Sequence, residues 1–136
     1  MINLYKPIKQ DLSLYTAFYV KNIYKARKNA NLSNKHYCTL LQCHAIEFYS
    51  NTLFTSSALR SLVPYNIHLI NNCLTVLLEF NYIREVKVMN PRKGATGIHA
   101  NKYYTLTETG TQKVFYLHDL IKRDIKKFKA TKGKNW

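Results

Sequence analysis

The stretch TSSALRSLVPYNIHLINNCLTVLLEFNYIREVKVM, residues 55–89, decides the fold of this 136-residue chain. A hydroxyl at its start, on Thr55 or Ser56, can cap a short helix by accepting a hydrogen bond from a free backbone N–H group. Pro64 disfavours helix at the residue before it, and Asn66 is a good N-cap for a new helix. The stretch therefore predicts a short helix, a tight turn and a longer helix.

The longer helix is expected to run from Ile67 to about Phe80. Apolar residues recur along it at helical spacing, which predicts a face that packs inward. The residues of that face are Ile67, Ile70, Leu74 and Leu77. Asn81 stands where the end of a helix often needs a left-handed residue, and Asn is the second choice there after Gly. We therefore expect the helix to end at this point.

After this helix, the spacing of apolar residues changes from that of a helix to that of an extended strand. Residues 82–89 alternate between β-branched and charged side chains, and residues 102–106 have strand composition again. The turn-rich segment 90–97 between them holds two of the chain's four glycines, together with Arg92 and Lys93. Two such runs joined by a Gly-containing loop predict a β-hairpin with a long basic tip.

Amphipathic helices flank this unit. From Asp11, which can act as an N-cap, to Lys28, apolar residues recur in steps of three and four, and the same spacing recurs over residues 110–129. Another helix is expected over residues 35–50. Its predicted core face comprises Tyr37, Leu40, Leu41, His44 or Ala45, and Phe48. The basic segment 130–136 is expected to fray.

The predicted fold class is mainly α with a small β-hairpin (α+β), a winged helix-turn-helix flanked by N- and C-terminal helices. The whole chain, 1–136, fits one domain, because domains commonly contain about 100–200 residues. Within it, the winged-helix core spans 32–112, the flanking helices span 11–28 and 110–129, and 130–136 is a basic tail. The alternative, an all-α bundle with an unrelated loop, leaves the period-two hairpin unexplained.

The charge balance points to a polyanionic partner. Twenty-one Lys and Arg residues against seven Asp and Glu leave a net charge of +14. Nucleic acid is the first candidate for that partner, and an anionic membrane surface is the second. The excess is uneven, since residues 1–33 carry +5, residues 34–81 are neutral and residues 82–136 carry +9. The sequence therefore predicts basic flanks and a basic hairpin around a neutral helix-turn-helix.

Other classes of protein fit the sequence poorly. The densest apolar run, residues 73–80, is far shorter than the about 20 residues that span a bilayer, and the N-terminus lacks the apolar segment of a secretory signal. Cys38, Cys43 and Cys73 show no Cys-x-x-Cys spacing, so we expect buried thiols in a reducing, cytoplasmic setting and no metal site. No catalytic triad, phosphate-binding Gly loop or His-Glu-x-x-His motif is present, so neither an enzyme nor a cofactor is expected.

The stretch from about Leu32 to Lys113 resembles the winged-helix domain of the multiple-antibiotic-resistance regulator (MarR) family. Leu77–Arg84 is similar to the end of that family's recognition helix and the start of its wing, with Asn81 where the family usually has Gly. Tyr104–Gly110 is similar to the Leu-Thr-x-x-Gly junction between wing and last helix. The resemblance implies that Thr55–Asn66 precedes the recognition helix and that the terminal helices form a dimer.

Candidate DNA-binding residues lie on three parts of this unit. Helix N-termini attract phosphate, Asn and Thr on a helix in the major groove can contact base edges, and basic residues at a hairpin tip can reach phosphates or the minor groove. The alternatives are simple helix caps, a solvated helix face and a solubilising loop. The candidates are Thr55, Ser56, Ser57, Arg60, Tyr65, Asn66, His68, Asn71, Asn72, Thr75, Arg92, Lys93, Gly94 and Lys102.

The apolar stripes of the terminal helices predict a homodimer. A twofold dimer would place two recognition helices about one DNA turn, roughly 34–36 Å, apart. The predicted dimerisation residues are Leu12, Tyr15, Tyr19, Ile23, Leu117, Ile121, Ile125 and Phe128. The alternative is that the same stripes close the core of a single chain.

The favoured interpretation is a homodimeric, sequence-specific transcriptional regulator that binds double-stranded DNA. One alternative keeps the fold but makes the chain a replication, excision or architectural DNA-binding accessory of a mobile element or virus. Another is a protein–protein interaction module on a winged-helix scaffold. The resemblance also implies a small-molecule effector between the dimer helices and the winged helix, for which no ligand residue can be named.

Overall fold

The computed structural model describes residues 6–51, 53–87 and 102–135. The order of helices and strands in these ranges is the predicted one, and the predicted fold class, mainly α with a small hairpin, is confirmed. The elements are α1 (Lys6–Ala30), α2 (Asn34–Ser50), α3 (Ser56–Arg60), α4 (Ile67–Glu79), β1 (Ile83–Val86), β2 (Tyr103–Leu106) and α5 (Glu108–Asn135).

The first helix, α1, begins earlier than predicted. Asp11 lies inside it, so its prediction as the N-cap was wrong. Pro7 is the second residue of the helix. Proline is tolerated in the first turn because the N–H groups there have no intrahelical partner, and its fixed φ suits the helix. The start signal in this sequence is therefore Pro7 and not the acidic residue that follows it.

The last helix, α5, runs further than predicted. The segment 130–136 was expected to fray, but the helix continues to Asn135. Lys and Ala, which have high helix propensity, make up half of the sequence after Phe128, and the glycine of this segment, Gly133, lies in the last turn. Part of the predicted basic tail therefore belongs to the helix.

The helix-turn-helix forms as its capping residues predict. The side chain of Thr55 accepts a hydrogen bond from the backbone N–H of Ala58 at 3.2 Å, and the side chain of Asn66 accepts one from Leu69 at 2.9 Å. Asn81 adopts the left-handed conformation with φ of 60° directly after α4. Both caps and the predicted helix end are confirmed.

The hairpin is confirmed at its base. β1 and β2 pair antiparallel, with Ile83 opposite Leu106. On the outer edge of β2, Tyr104 exchanges two backbone hydrogen bonds of 2.9 and 3.0 Å with Phe54. The loop before α3 therefore contributes an isolated bridge to the sheet. The predicted basic tip lies outside the described residues.

The face of α2 that packs into the core differs from the predicted one. Tyr37 and Leu40 are fully buried as expected, but Phe48 is 71% exposed, and Cys43 is fully buried instead. The buried face ends at Cys43 and is followed by the partly buried Glu47. Phe48 is rotated about 100° from Glu47 because a helix has 3.6 residues per turn. The prediction that Phe48 faces the core was therefore wrong.

Two buried tyrosine hydroxyls tie the winged helix to its flanking helices. Tyr37 donates a hydrogen bond to the carbonyl oxygen of Lys113 at 2.7 Å, and Tyr82 donates one to that of Ala30 at 2.6 Å. Satisfied hydroxyls of this kind avoid the cost of an unpaired buried polar group. The core is thus continuous between the two parts of the chain. Among the described helices, none is long and apolar enough to cross a membrane.

Candidate nucleic-acid interface

The exposed face of α4 carries four of the predicted contact residues. His68, Asn71, Asn72 and Thr75 are all exposed. Their spacing of three and four residues places them on one side of the helix. The opposite side is buried and consists of Ile70, Cys73, Leu74 and Leu77. α4 therefore offers a row of neutral polar groups to the surroundings.

Two of these four side chains have partners within the chain. The Thr75 hydroxyl donates a hydrogen bond to the carbonyl oxygen of Asn71 at 2.9 Å. The amide oxygen of Asn72 lies 3.4 Å from Nε2 of His36, whose Nδ1 lies 2.8 Å from the hydroxyl of Ser33. An imidazole protonated on Nε2 satisfies both contacts of His36. His36 was not among the predicted site residues, because it comes from α2 and its position beside α4 is a long-range feature.

A surface groove of about 440 Å³ lies between α4 and the hairpin. It brings together four predicted residues from three parts of the chain: Ser56, Asn71, Thr75 and Lys102. The remaining lining residues are Leu74, Leu78, Glu85 and Tyr104. Glu85 is a further polar residue of this groove that was not predicted, although its place in the alternating strand pattern put it on one face of the hairpin.

The start of α3 and the turn before α4 contain the remaining described candidates. Thr55 and Asn66 use their side chains as helix caps. Ser57 and Arg60 are exposed, whereas Tyr65 is half-buried and burial raises its pKa. These residues lie next to α4 in the sequence, but the groove is not lined by them. Arg92, Lys93 and Gly94 lie outside the described residues.

The hairpin is fixed to α2 by a carboxylate. Glu47 accepts a hydrogen bond from the hydroxyl of Thr105 and another, of 3.3 Å, from the backbone N–H of Leu106. Lys102, directly before β2, is exposed on the groove side. The basic group of the groove therefore directly precedes a strand whose outer edge is held by α2.

The predicted dimerisation residues fall into two groups. Leu12 is 62% exposed, and Tyr15, Tyr19, Ile23, Ile125 and Phe128 are partly exposed. Leu117 and Ile121, however, are fully buried within the chain itself. Because α5 packs along α1, these two side chains fill the core of the single chain. A contact of Leu117 and Ile121 with a second copy does not fit this burial.

An aromatic–histidine surface, consisting of Tyr15, His44, Phe48, Phe115 and His118, joins α1, α2 and α5. The ring centroid of His44 lies 5.4 Å from that of Phe115 and 6.2 Å from that of His118. The Tyr15 hydroxyl lies 2.5 Å from Nδ1 of His118. Burial is the largest cause that lowers the pKa of both histidines. The sequence did not reveal this surface, which depends on three helices meeting.

The three cysteines are free thiols. Cys43 and Cys73 are fully buried, as predicted, and Cys38 is partly buried. Burial raises the pKa of the Cys43 thiol well above its usual range. Within the ranges that the structure describes, no group of three or more Cys, His, Asp or Glu side chains could hold a metal ion.

The chain has the winged helix-turn-helix fold, with its two terminal helices packed against each other. Neither a protein-family model nor a curated protein sequence matches the chain significantly. Solved structures do match over nearly its whole length. The structure of MepR from Staphylococcus aureus in complex with DNA has a TM-score of 0.66 and 13% sequence identity, and the match covers 97% of this chain and 87% of MepR.

Two other structures show the same likeness. RV1404 from Mycobacterium tuberculosis has a TM-score of 0.63 and 14% identity, with 96% of this chain and 82% of that chain covered. Wild-type MarR from Escherichia coli in its apo form has a TM-score of 0.56 and 12% identity, with 91% and 80% covered. The resemblance to the MarR family, drawn from local motifs in the sequence, is therefore confirmed in the fold.

Proposed function

We propose that the chain is a sequence-specific transcriptional regulator that binds double-stranded DNA as a homodimer. In this proposal, α4 enters the major groove and reads base edges. The hairpin then contacts the phosphate backbone or the minor groove beside it. The basic flanks supply attraction that is independent of sequence.

The groove between α4 and the hairpin is the observation that carries this proposal. It places Asn71 and Thr75 of the helix beside Lys102 of the hairpin. Asn can pair with the N6 and N7 atoms of adenine, a Thr methyl group can contact a thymine methyl group, and Lys can neutralise a phosphate. α4 itself has no Lys or Arg. The residues that contact base edges would therefore differ from those that bind phosphate, although both lie on the same surface.

Two of the matched structures agree with this proposal. One is a complex of MepR with DNA, and MepR is described as a transcription regulator of a multidrug efflux pump. Apolar side chains that remain exposed on α1 support the homodimer. Leu12, Val20 and Tyr24 are each more than half exposed, and a second copy would cover such side chains.

Selection of preferred sites from random duplexes, followed by salt titration of binding to the selected site, tests the proposal. We expect a pseudo-palindromic site and an affinity that falls steeply with rising salt, because phosphate contacts release counterions. Absence of binding to any duplex at low ionic strength would refute the proposal. Sedimentation of the free protein and of the complex tests the homodimer.

Thr75→Ala and Thr16→Ala form a matched pair for the base-reading role of α4. Both threonines are exposed, and each hydroxyl donates a hydrogen bond of 2.9 Å to the carbonyl oxygen four residues earlier. The local structural cost should therefore be similar. We expect Thr75→Ala to weaken binding to the selected site by roughly tenfold and to relax the base preference there, since base contacts contribute about 1–3 kcal/mol. Thr16→Ala, on the Leu12–Val20–Tyr24 face of α1, should keep the wild-type base preference.

A further inference from the structure

Glu47 connects the last turn of α2 to the outer edge of β2. Its Oε1 accepts a hydrogen bond from the Thr105 hydroxyl, and its Oε2 accepts one from the backbone N–H of Leu106 at 3.3 Å. Both donors belong to β2, and the Glu47 side chain is partly buried between the two elements. Hydrogen bonds to an ionised acceptor are stronger than those between neutral groups. The carboxylate therefore joins α2 to β2 through two hydrogen bonds and is not a free surface charge.

The outer edge of β2 already has one partner, Phe54 in the loop before α3. The Glu47 carboxylate adds a second partner on that edge. Tyr104 exchanges two backbone hydrogen bonds with Phe54 on the outer edge. In an antiparallel strand, the backbone groups of alternate residues point to the same edge. Leu106 presents its N–H group two residues further on, and Glu47 accepts it. β2 is thus held on one side by β1 and on the other by Phe54 and Glu47.

The position of β2 determines where Lys102 lies. Lys102 directly precedes β2 and lines the groove with Asn71 and Thr75 of α4. α2 packs against both α4 and β2. It therefore helps to fix the two walls of the groove relative to each other, beside the direct packing of α4 on β1, and Glu47 is its polar attachment to β2.

We propose that Glu47 is a positioning residue for the wing, the hairpin formed by β1 and β2. By fixing β2 on α2, it holds the wing where Lys102 faces α4 across the groove. This inference rests on the proposed function, because its effect on binding requires that Lys102 contact a DNA phosphate. Glu47 itself touches no DNA.

Glu47→Ala and Glu47→Gln separate positioning from charge. Each raises the net charge by one, and this alone would strengthen binding to a polyanion. The amide of Glu47→Gln can still accept from the Leu106 N–H and can donate to the Thr105 hydroxyl oxygen, whereas Glu47→Ala removes both bonds. A shared change in both variants would therefore report charge, and a change in the alanine variant alone would report the lost link.

We expect Glu47→Ala to bind the selected duplex roughly tenfold more weakly, with the slope of log K against log salt reduced by about 0.9, the value for one phosphate contact. Glu47→Gln should stay close to the wild type in both measurements. Wild-type affinity and slope in Glu47→Ala would overturn the inference. Weaker binding with an unchanged slope would also overturn it. That result would mean that less protein is folded while the number of phosphate contacts in the complex stays the same.

Amide hydrogen exchange of the free protein separates this inference from the proposed function. We expect Glu47→Ala to speed exchange at Leu106 and along β2 while exchange in α4 stays unchanged. If the wild type binds no duplex, the proposed function fails, and unchanged exchange along β2 in Glu47→Ala would then show that Glu47 does not fix the wing either. Faster exchange together with wild-type DNA binding would refute the positioning role of Glu47 and leave the proposed function intact.

Discussion

The backbone of Gly110 packs directly against the backbone of Tyr82. A Cβ atom at Gly110 would lie 2.8 Å from the carbonyl carbon of Tyr82 and closer still to its oxygen. That oxygen also accepts a hydrogen bond from the backbone N–H of Thr107 at 3.0 Å. The first turn of α5 is therefore seated on the residue that leads into β1, and this contact gives the Leu-Thr-x-x-Gly motif a physical reason.

Gly110→Ala should destabilise the fold strongly. The added methyl group meets backbone atoms, which cannot rotate away as a side chain could, so α5 must shift away from Tyr82. We expect a loss of at least about 2 kcal/mol in the free energy of unfolding, measured by urea denaturation. Thr109→Ala, at an exposed neighbouring position, should change it by less than about 0.5 kcal/mol. Equal effects of the two substitutions would contradict the explanation.

Asn81 allows a second comparison at the junction between α4 and β1. Its φ of 60° is left-handed, a conformation that costs most residues about 1–2 kcal/mol and costs Gly nothing. We expect Asn81→Ala to lower the free energy of unfolding by about 1 kcal/mol and Asn81→Gly to leave it nearly unchanged or raise it. The same urea titration measures both, and an alanine variant as stable as the glycine variant would refute the backbone argument.

These local features are the part of the fold that the sequence could predict. Thr55, Asn66 and Asn81 act on their own neighbours in the chain, so their residue type and position sufficed. The start of α1 was missed because Asp11 looked like a cap, whereas Pro7 also suits a first turn. The end of α5 was missed because a Lys-rich segment is compatible with both a helix and a solvated tail.

The sequence predicted contact residues on α4, at Ser56 and at Lys102, but not the residues that join these parts around the groove. Asn71 and Thr75 follow from helical spacing alone. Glu47, His36 and Glu85 could not be assigned, because each depends on which elements come together in space. The sequence could not predict that Leu117 and Ile121 are buried within the single chain, for the same reason. An apolar stripe predicts that another surface covers the helix, but not whether that surface belongs to the same chain or to a second copy.

Asn22 and Asp124 form a polar contact between α1 and α5. The Asn22 amide donates a hydrogen bond to Asp124 Oδ2 at 2.9 Å, and Lys21 Nζ lies 3.3 Å from the same oxygen. The hydrogen bond from Asn22 is the largest cause that lowers the pKa of Asp124. We expect Asp124→Ala to cost about 1–3 kcal/mol of unfolding free energy near neutral pH. Asp119→Ala, exposed on the same helix, should cost much less.

The contribution of Asp124 has a defined dependence on pH. A carboxyl group with a lowered pKa in the folded state stabilises the fold above its unfolded value of about 3.8. This stabilisation is lost as the pH falls from there through the folded pKa. The difference between the wild type and Asp124→Ala should therefore shrink in urea titrations below pH 3.8. If the difference in unfolding free energy between the two proteins stays constant at all pH values below 3.8, the packing of Asp124 and not its ionised carboxylate stabilises the fold.

The two histidines of the aromatic–histidine surface also predict a loss of stability towards acid, but at a higher pH than Asp124. Burial lowers the pKa of His44 and His118 below 6.5. His44 and Lys122 lower the pKa of His118 further, whereas Asp119 raises it and Glu47 raises that of His44. Because the unfolded imidazoles bind protons at a higher pH than the folded ones, protonation favours the unfolded state.

We therefore expect the unfolding free energy to fall as the pH drops through 6.5 towards the lowered folded values, and the contribution of these histidines to level off below them. His118→Asn keeps an acceptor for the Tyr15 hydroxyl near the position of Nδ1 but cannot titrate, so its dependence on pH should be shallower. A His118→Asn variant as sensitive to pH as the wild type would contradict a neutral imidazole packed against Tyr15 and His44.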